Sequence, residues 1–81
     1  MIGVYIDGIK VRYVIECENP DHAKKVVNEI RSMFTGRIEN IEVKGAVIIL
    51  DLSFMADEYL AIDSTINTIE NKALELLEEG E

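Results

Sequence analysis

A strongly apolar strand running straight into the longest helix constrains this chain more than any other feature. Ala-Val-Ile-Ile-Leu-Asp-Leu-Ser-Phe (46–54) is rich in β-branched residues and nearly uncharged, a composition that favours a strand with little water on either face. Residues 57–79 then follow at a helical period. At about 100° per residue, Tyr59, Ile62, Ile66, Ile69, Ala73, Leu76 and Leu77 fall in one stripe suited to lie on a sheet. Leu60, Asn67, Asn71 and Leu74 fall in a second stripe, well round the helix from the first. A monomer has no obvious use for two seams on one helix, so the second reads as a surface for another helix.

The 81 residues, 48% of them hydrophobic, make one small domain over 1–81. A chain of this length buries only roughly 60–65% of its unfolded surface, so association would help it. Its formal net charge of −8 argues against a self-sufficient binder of nucleic acid or of a membrane surface, both of which need basic patches. No apolar run approaches the length of a membrane span, and no signal peptide heads the chain. Cys17 is the only cysteine, which leaves neither a disulfide framework nor a thiolate metal site. The expectation is a soluble, cytoplasmic protein.

Taken in order, residues 2–17 read as a hairpin about a two-residue Asp7-Gly8 turn. That loop sets Ile6 opposite Ile9, Val4 opposite Val11 and Ile2 opposite Tyr13, on one face with Ile15 and Cys17. Lys10, Arg12 and Glu16 point the other way. Asn19-Pro20 opens a helix, with Asn as N-cap, Pro at the first helical position and Asp21 near the positive end of the dipole. Ala23, Val26, Val27, Ile30, Met33 and Phe34 form its core stripe, and Thr35-Gly36 ends it. A weaker strand covers 37–43, with Ile41 and Val43 inward, and Lys44-Gly45 turns the chain into the apolar strand. There Ile48, Leu50, Leu52 and Phe54 face the helices, which leaves Val14, Val47 and Ile49 on an uncovered sheet face.

This order, β-β-α-β-β-α, predicts an α+β two-layer sandwich. A right-handed crossover over the first helix leaves a gap between the strands at 9–17 and 37–43. The apolar strand fills it, antiparallel to both. The sheet is three- to four-stranded and antiparallel or mixed, with both helices on one face and residues 1–8 as an added hairpin strand.

Catalytic chemistry is hard to find. His22 has no second nitrogen or thiolate ligand to join it and reads as an exposed, uncommitted residue. Cys17 falls on an inward strand face and reads as a small hydrophobe. Asp51 interrupts the apolar strand and needs a donor if its face is covered; Arg12 could supply one. Asp57 and Glu58 read as carboxylates at a helix start. Glu16, Glu18 and Asp21 lack calcium-loop spacing and read as a solvated edge. The glycines are scattered and build no phosphate-cradling loop. No cofactor, no metal site and no enzymatic activity are expected. Asn67 and Asn71 are the informative polar residues. Leu60, Asn67 and Leu74 recur every seventh residue with Asn71 beside them, as a helix presents a seam whose polar member fixes register and partner.

Leu-Asp-Leu-Ser-Phe-Met-Ala-Asp-Glu-Tyr-Leu-Ala-Ile-Asp-Ser-Thr-Ile-Asn (50–67) resembles the Pcc family. These are the small dimerisation subunits of the KEOPS complex, which makes threonylcarbamoyladenosine in transfer RNA. Ala56, Ala61, Ile62, Thr65, Ile66 and Asn67 stand at places corresponding to the family's motif. Glu18-Asn19-Pro20-Asp21-His22-Ala23 resembles its Pro-containing start of helix one. The likeness covers about residues 9–79. It implies a noncatalytic subunit that forms a homodimer or pairs with a paralogue. It also implies that the chain offers helices to the catalytic threonylcarbamoyl-transferase subunit and touches transfer RNA only indirectly. Where the family carries Arg after Ala-Leu, this chain has Asp63, which with the acidic charge implies an acidic paralogue. The candidate partner-binding residues are therefore Leu60, Asp63, Asn67, Asn71 and Leu74. Two other classes are weighed against this. A small-ligand regulatory module of the ACT-like kind would need a glycine-bearing loop after its first strand. A KH-like RNA binder would need a Gly-x-x-Gly loop and a basic surface.

Overall fold

The computed structural model describes residues 8–79. Three strands and two α-helices follow in the order β1 (Ile9–Glu16), α1 (Pro20–Met33), β2 (Ile38–Lys44), β3 (Val47–Phe54) and α2 (Ala61–Glu79), with a single 3₁₀ turn at Ala56–Glu58. The sheet order is β1-β3-β2 and every pairing is antiparallel. The apolar strand is therefore the central one, as its composition requires. Both helices pack on one face of the sheet, which gives the α+β two-layer sandwich. The expected hairpin strand at residues 2–6 lies outside the described residues.

β3 alternates between fully buried and half-buried residues along its whole length. Ile48, Leu50, Leu52 and Phe54 meet Ala23, Val26, Val27 and Ile30 of α1, Tyr13 of β1 and Ile69 of α2 in one continuous core. On the opposite face, Arg12 lies directly across from Asp51. Its guanidinium donates Nε–H to one carboxylate oxygen at 2.8 Å and Nη2–H to the other at 3.2 Å. This is the donor that Asp51 required. The guanidinium hydrogen bond, ahead of simple charge attraction, holds the Asp51 carboxyl below its ordinary range.

α1 begins as its sequence demands. Asn19 is in extended geometry and its Oδ1 accepts from the His22 backbone N–H at 2.8 Å, with Pro20 as the first helical residue. The β2–β3 turn is two residues long, and Gly45 takes the positive φ of 61° that such a turn needs. β2 carries a register shift between Ile38 and Asn40. Ile38 and Ile41, three apart, would otherwise face opposite ways. The bulge lets both pack against the core.

Two expectations need correction. Residues 57–79 do not form one helix: the chain makes a 3₁₀ turn, bends at Tyr59 and Leu60, and starts α2 at Ala61. The cause is Glu58, whose carboxylate accepts from the Met55 N–H at 2.9 Å and grips Arg37 at 3.0 and 2.5 Å. Arg37 in turn lies 5.7 Å over the Phe54 ring. As a result α2 lands rotated from the expected stripe. Tyr59 and Ile66, both expected in the core, are 61% and 41% exposed, whereas Thr65 is buried. Thr65 tolerates burial because its hydroxyl donates to the Ala61 carbonyl at 2.7 Å.

The backbone parity of β1 follows from one bond just past its end. Cys17 donates its N–H to the Ala46 carbonyl at 2.8 Å. In an unbroken antiparallel ladder this marks the odd-numbered residues of β1 as those bonded to β3. Ile9 is accordingly bonded across the ladder to Phe54, while the expected pairing of Ile6 with Ile9 about an Asp7-Gly8 turn lies outside the described residues.

Truncating the centre of β3 should cost more than any surface change. Leu50→Ala is expected to lower unfolding stability by about 2–5 kcal/mol, read as a shift in the urea midpoint. A loss below about 1 kcal/mol would show that β3 is not the core strand.

Candidate protein-interaction face

Both sheet edges are without a strand neighbour among the described residues, and they differ. β2 is interrupted by its bulge and carries Glu39, Glu42 and Lys44, all exposed, an arrangement that discourages strand addition. β1 runs eight residues with no register shift. Its odd residues are bonded to β3, so the N–H and C=O groups of Lys10, Arg12, Val14 and Glu16 point to the outer edge.

Beside that edge stands α2. Between them lies a cleft of about 820 Å³, with Tyr13, Val14 and Ile15 on the strand side and Ile66, Ile69, Ala73, Leu74 and Leu77 on the helix side. Arg12, Glu16, Glu18, His22 and Glu70 complete its lining. Leu74 is 60% exposed and Val14 is 64% exposed. The rotation of α2 creates this wall: Ile66, lifted out of the core, joins Leu74 and Leu77 over the strand.

The four residues singled out from spacing, and Asp63 singled out from the resemblance, all lie exposed at one end or along α2. Only Leu74 lines the cleft. Leu60, 75% exposed, sits in the bend before α2 with Met55 and Tyr59, also exposed. Asp63, Asn67 and Asn71 lie on the solvent side of α2 and do not line the cleft. Sequence spacing missed Ile66 and Leu77 as wall residues, because a helical wheel has no zero point until the helix is docked.

His22 is not the exposed, uncommitted residue expected. It is buried at 7% exposure. Its Nδ1 accepts from the Glu18 backbone N–H at 3.2 Å, which places the ring proton on Nε2, 2.7 Å from the Ala73 carbonyl. The imidazole thus ties the start of α1 to the middle of α2 and closes one end of the cleft. Tyr13 does the same at the other end, donating to the Ile62 carbonyl at 3.0 Å. Burial is the main reason its phenol pKa is raised; the Thr65 hydroxyl opposes the rise and Asp63 adds to it. Cys17 packs against the core, and burial first and then Glu18 push its thiol up, away from nucleophilic character.

Among the described residues, no group of three or more His, Cys, Asp or Glu side chains is placed to hold a metal ion. No helix among them is long and apolar enough to cross a membrane. No family model, curated protein or solved structure matches this chain.

Two measurements check this geometry. His22→Ala removes both ring bonds and should lower stability by about 1–3 kcal/mol in urea unfolding; an unchanged midpoint would mean that the imidazole does not join the helices. Glu58 is the acid-sensitive latch. Its pKa is lowered from 4.5, first by Arg37 and then by the Met55 N–H. A lowered folded value gives stability that is present above 4.5 and lost as pH falls through the folded value. Glu58→Gln should therefore flatten the acid limb of the stability–pH curve below that pH, and an identical acid limb in the variant would refute the assignment.

Proposed function

We propose that this chain is a noncatalytic adaptor that holds a protein partner along the outer edge of β1 and the exposed flank of α2. The observation that carries this reading is the pairing of an unbroken, outward-bonding strand edge with an apolar helix wall. Strand addition supplies backbone bonds and the wall supplies side-chain pockets. The cleft's histidine, His22, spends both ring nitrogens on backbone groups, which supports a binding role over a catalytic one. The resemblance of residues 50–67 to the Pcc family supports a particular setting. In it, the adaptor belongs to a cytoplasmic KEOPS-type complex, holds the catalytic threonylcarbamoyl-transferase subunit, and meets transfer RNA only through that subunit. The net charge of −8 supports indirect contact with RNA.

A second reading draws on the cleft itself. Its volume of about 820 Å³ is within the range of small-ligand pockets, which keeps an ACT-like regulatory module in view. A thermal shift with free amino acids would support it.

The adaptor reading is tested by adding charge to the exposed flank. Leu74→Glu and Leu60→Glu should each leave the unfolding midpoint within about 0.5 kcal/mol of the parent, since both side chains are solvent-facing. The same changes should weaken capture of the catalytic subunit at least about tenfold in a pull-down titration. Undiminished capture by both variants would remove α2 from the contact.

A further inference from the structure

The cleft between β1 and α2 has a lining that divides by chemistry. Val14 and Ile15 on one side face Ile66, Leu74 and Leu77 on the other. The side-chain donors in the lining are already committed. Tyr13 gives its hydroxyl hydrogen to the Ile62 carbonyl, and His22 gives its ring hydrogen to the Ala73 carbonyl. The Arg12 guanidinium is held by both oxygens of Asp51, at 2.8 and 3.2 Å. The side-chain groups left over are acceptors: the carboxylates of Glu16 and Glu18 from the strand side and of Glu70 from α2. None of these three takes part in an ion pair among the described residues.

We infer that the cleft binds a small organic amine, a cation with an apolar body and no carboxylate of its own. The inference rests on the small-ligand reading of the cleft and names the ligand class for it. An apolar body fits the trough between Val14 and Leu74, both more than half exposed, and its entry removes apolar surface from water on both partners. The ammonium then lies among carboxylates drawn from two elements, which attract it. Its hydrogens match them as well, because an ammonium only donates and an ionised carboxylate only accepts.

The same lining disfavours three other ligands. An anion would meet Glu16, Glu18 and Glu70 with no free cation to receive it, since drawing Arg12 away would take from Asp51 its donor. A free amino acid carries such an anion in its α-carboxylate. An amine lacking that group keeps the attraction and loses the repulsion. A metal ion fits poorly too. It needs several oxygen ligands at fixed short range, and no group of three or more His, Cys, Asp or Glu side chains among the described residues is placed to hold one.

Tryptamine and tryptophan differ by that carboxylate alone and give the test. Each is titrated into the full chain while the methyl signals of Val14, Ile66, Leu74 and Leu77 are followed by NMR. Tryptamine should saturate with a dissociation constant of about 1 mM, the efficiency usual for a ligand of about a dozen non-hydrogen atoms. Tryptophan should bind at least about tenfold more weakly, because its carboxylate faces like charge. Saturation by tryptophan without tryptamine would overturn the amine assignment and leave a small-ligand cleft standing, whereas shifts from neither would overturn both. Glu18→Gln and Glu70→Gln should each weaken tryptamine about two- to fivefold, the range of an exposed ion pair, with no change in the unfolding midpoint. Glu78→Gln removes an exposed α2 carboxylate that does not line the cleft and should leave the affinity unchanged. An equal loss there would assign binding to the overall charge and overturn the site. Leu74→Lys places a cation of the chain's own at the wall and should abolish saturation; undiminished binding would also overturn the site. Saturation of the same methyls by a peptide of alternating Leu and Lys, with tryptamine inert, would assign the carboxylates to a protein partner and overturn the inference.

Discussion

Everything in this small fold depends on β3 being covered on both edges and over one whole face. Its buried residues, Ile48, Leu50, Leu52 and Phe54, have almost no exposed surface. Each such side chain contributes about 1.5–3 kcal/mol relative to exposure. The Arg12–Asp51 and Arg37–Glu58 pairs lie on the solvent side of the sheet and at its end, where screening limits what they add. Their service is geometric. Arg12–Asp51 satisfies the one carboxylate set in the middle strand, and Arg37–Glu58 decides where the chain leaves the sheet and therefore how α2 lands.

That landing produces the cleft. Had the helix begun at residue 57 and run on unbroken, Ile66 would lie in the core and no wall would stand beside β1. The bend at Tyr59 and Leu60 instead turns Thr65 inward, where its hydroxyl bonds within the helix. His22 and Tyr13 then pin α2 through backbone carbonyls, at Ala73 and Ile62. Polar groups thus fix the helix over the strand edge while the apolar side chains between them remain available. A sheet with one bulged, charged edge and one straight edge has a preferred side for company.

Much of this was legible from local pattern. The alternation in β1 and β3, the Asn19-Pro20 start and the Lys44-Gly45 turn depend on residues near one another in the chain, and the elements formed where those signals stand. The β2 bulge was not read: strict alternation set Ile41 and Val43 inward, whereas the register shift brings Ile38 to the core with Ile41. His22 was misread because its second partner is a carbonyl 51 residues away, which no spacing rule reveals. The candidate flank was seen in outline: Leu74 is on the cleft, while Asn67 and Asn71 do not line it, because only docking decides which part of a helix stripe meets the strand.

By itself the sequence determined the element types, the central place of the apolar strand and the sandwich class, since these follow from periodicity and from the need to bury β-branched side chains. Only the tertiary structure decided which backbone groups of β1 face outward, which face of α2 stays exposed, and that the two meet across one cleft. The reason is that hydrogen-bond parity and helix rotation are set by docking: one bond from Cys17 to Ala46 and one carboxylate at Glu58 fix them, and neither is written in any local repeat.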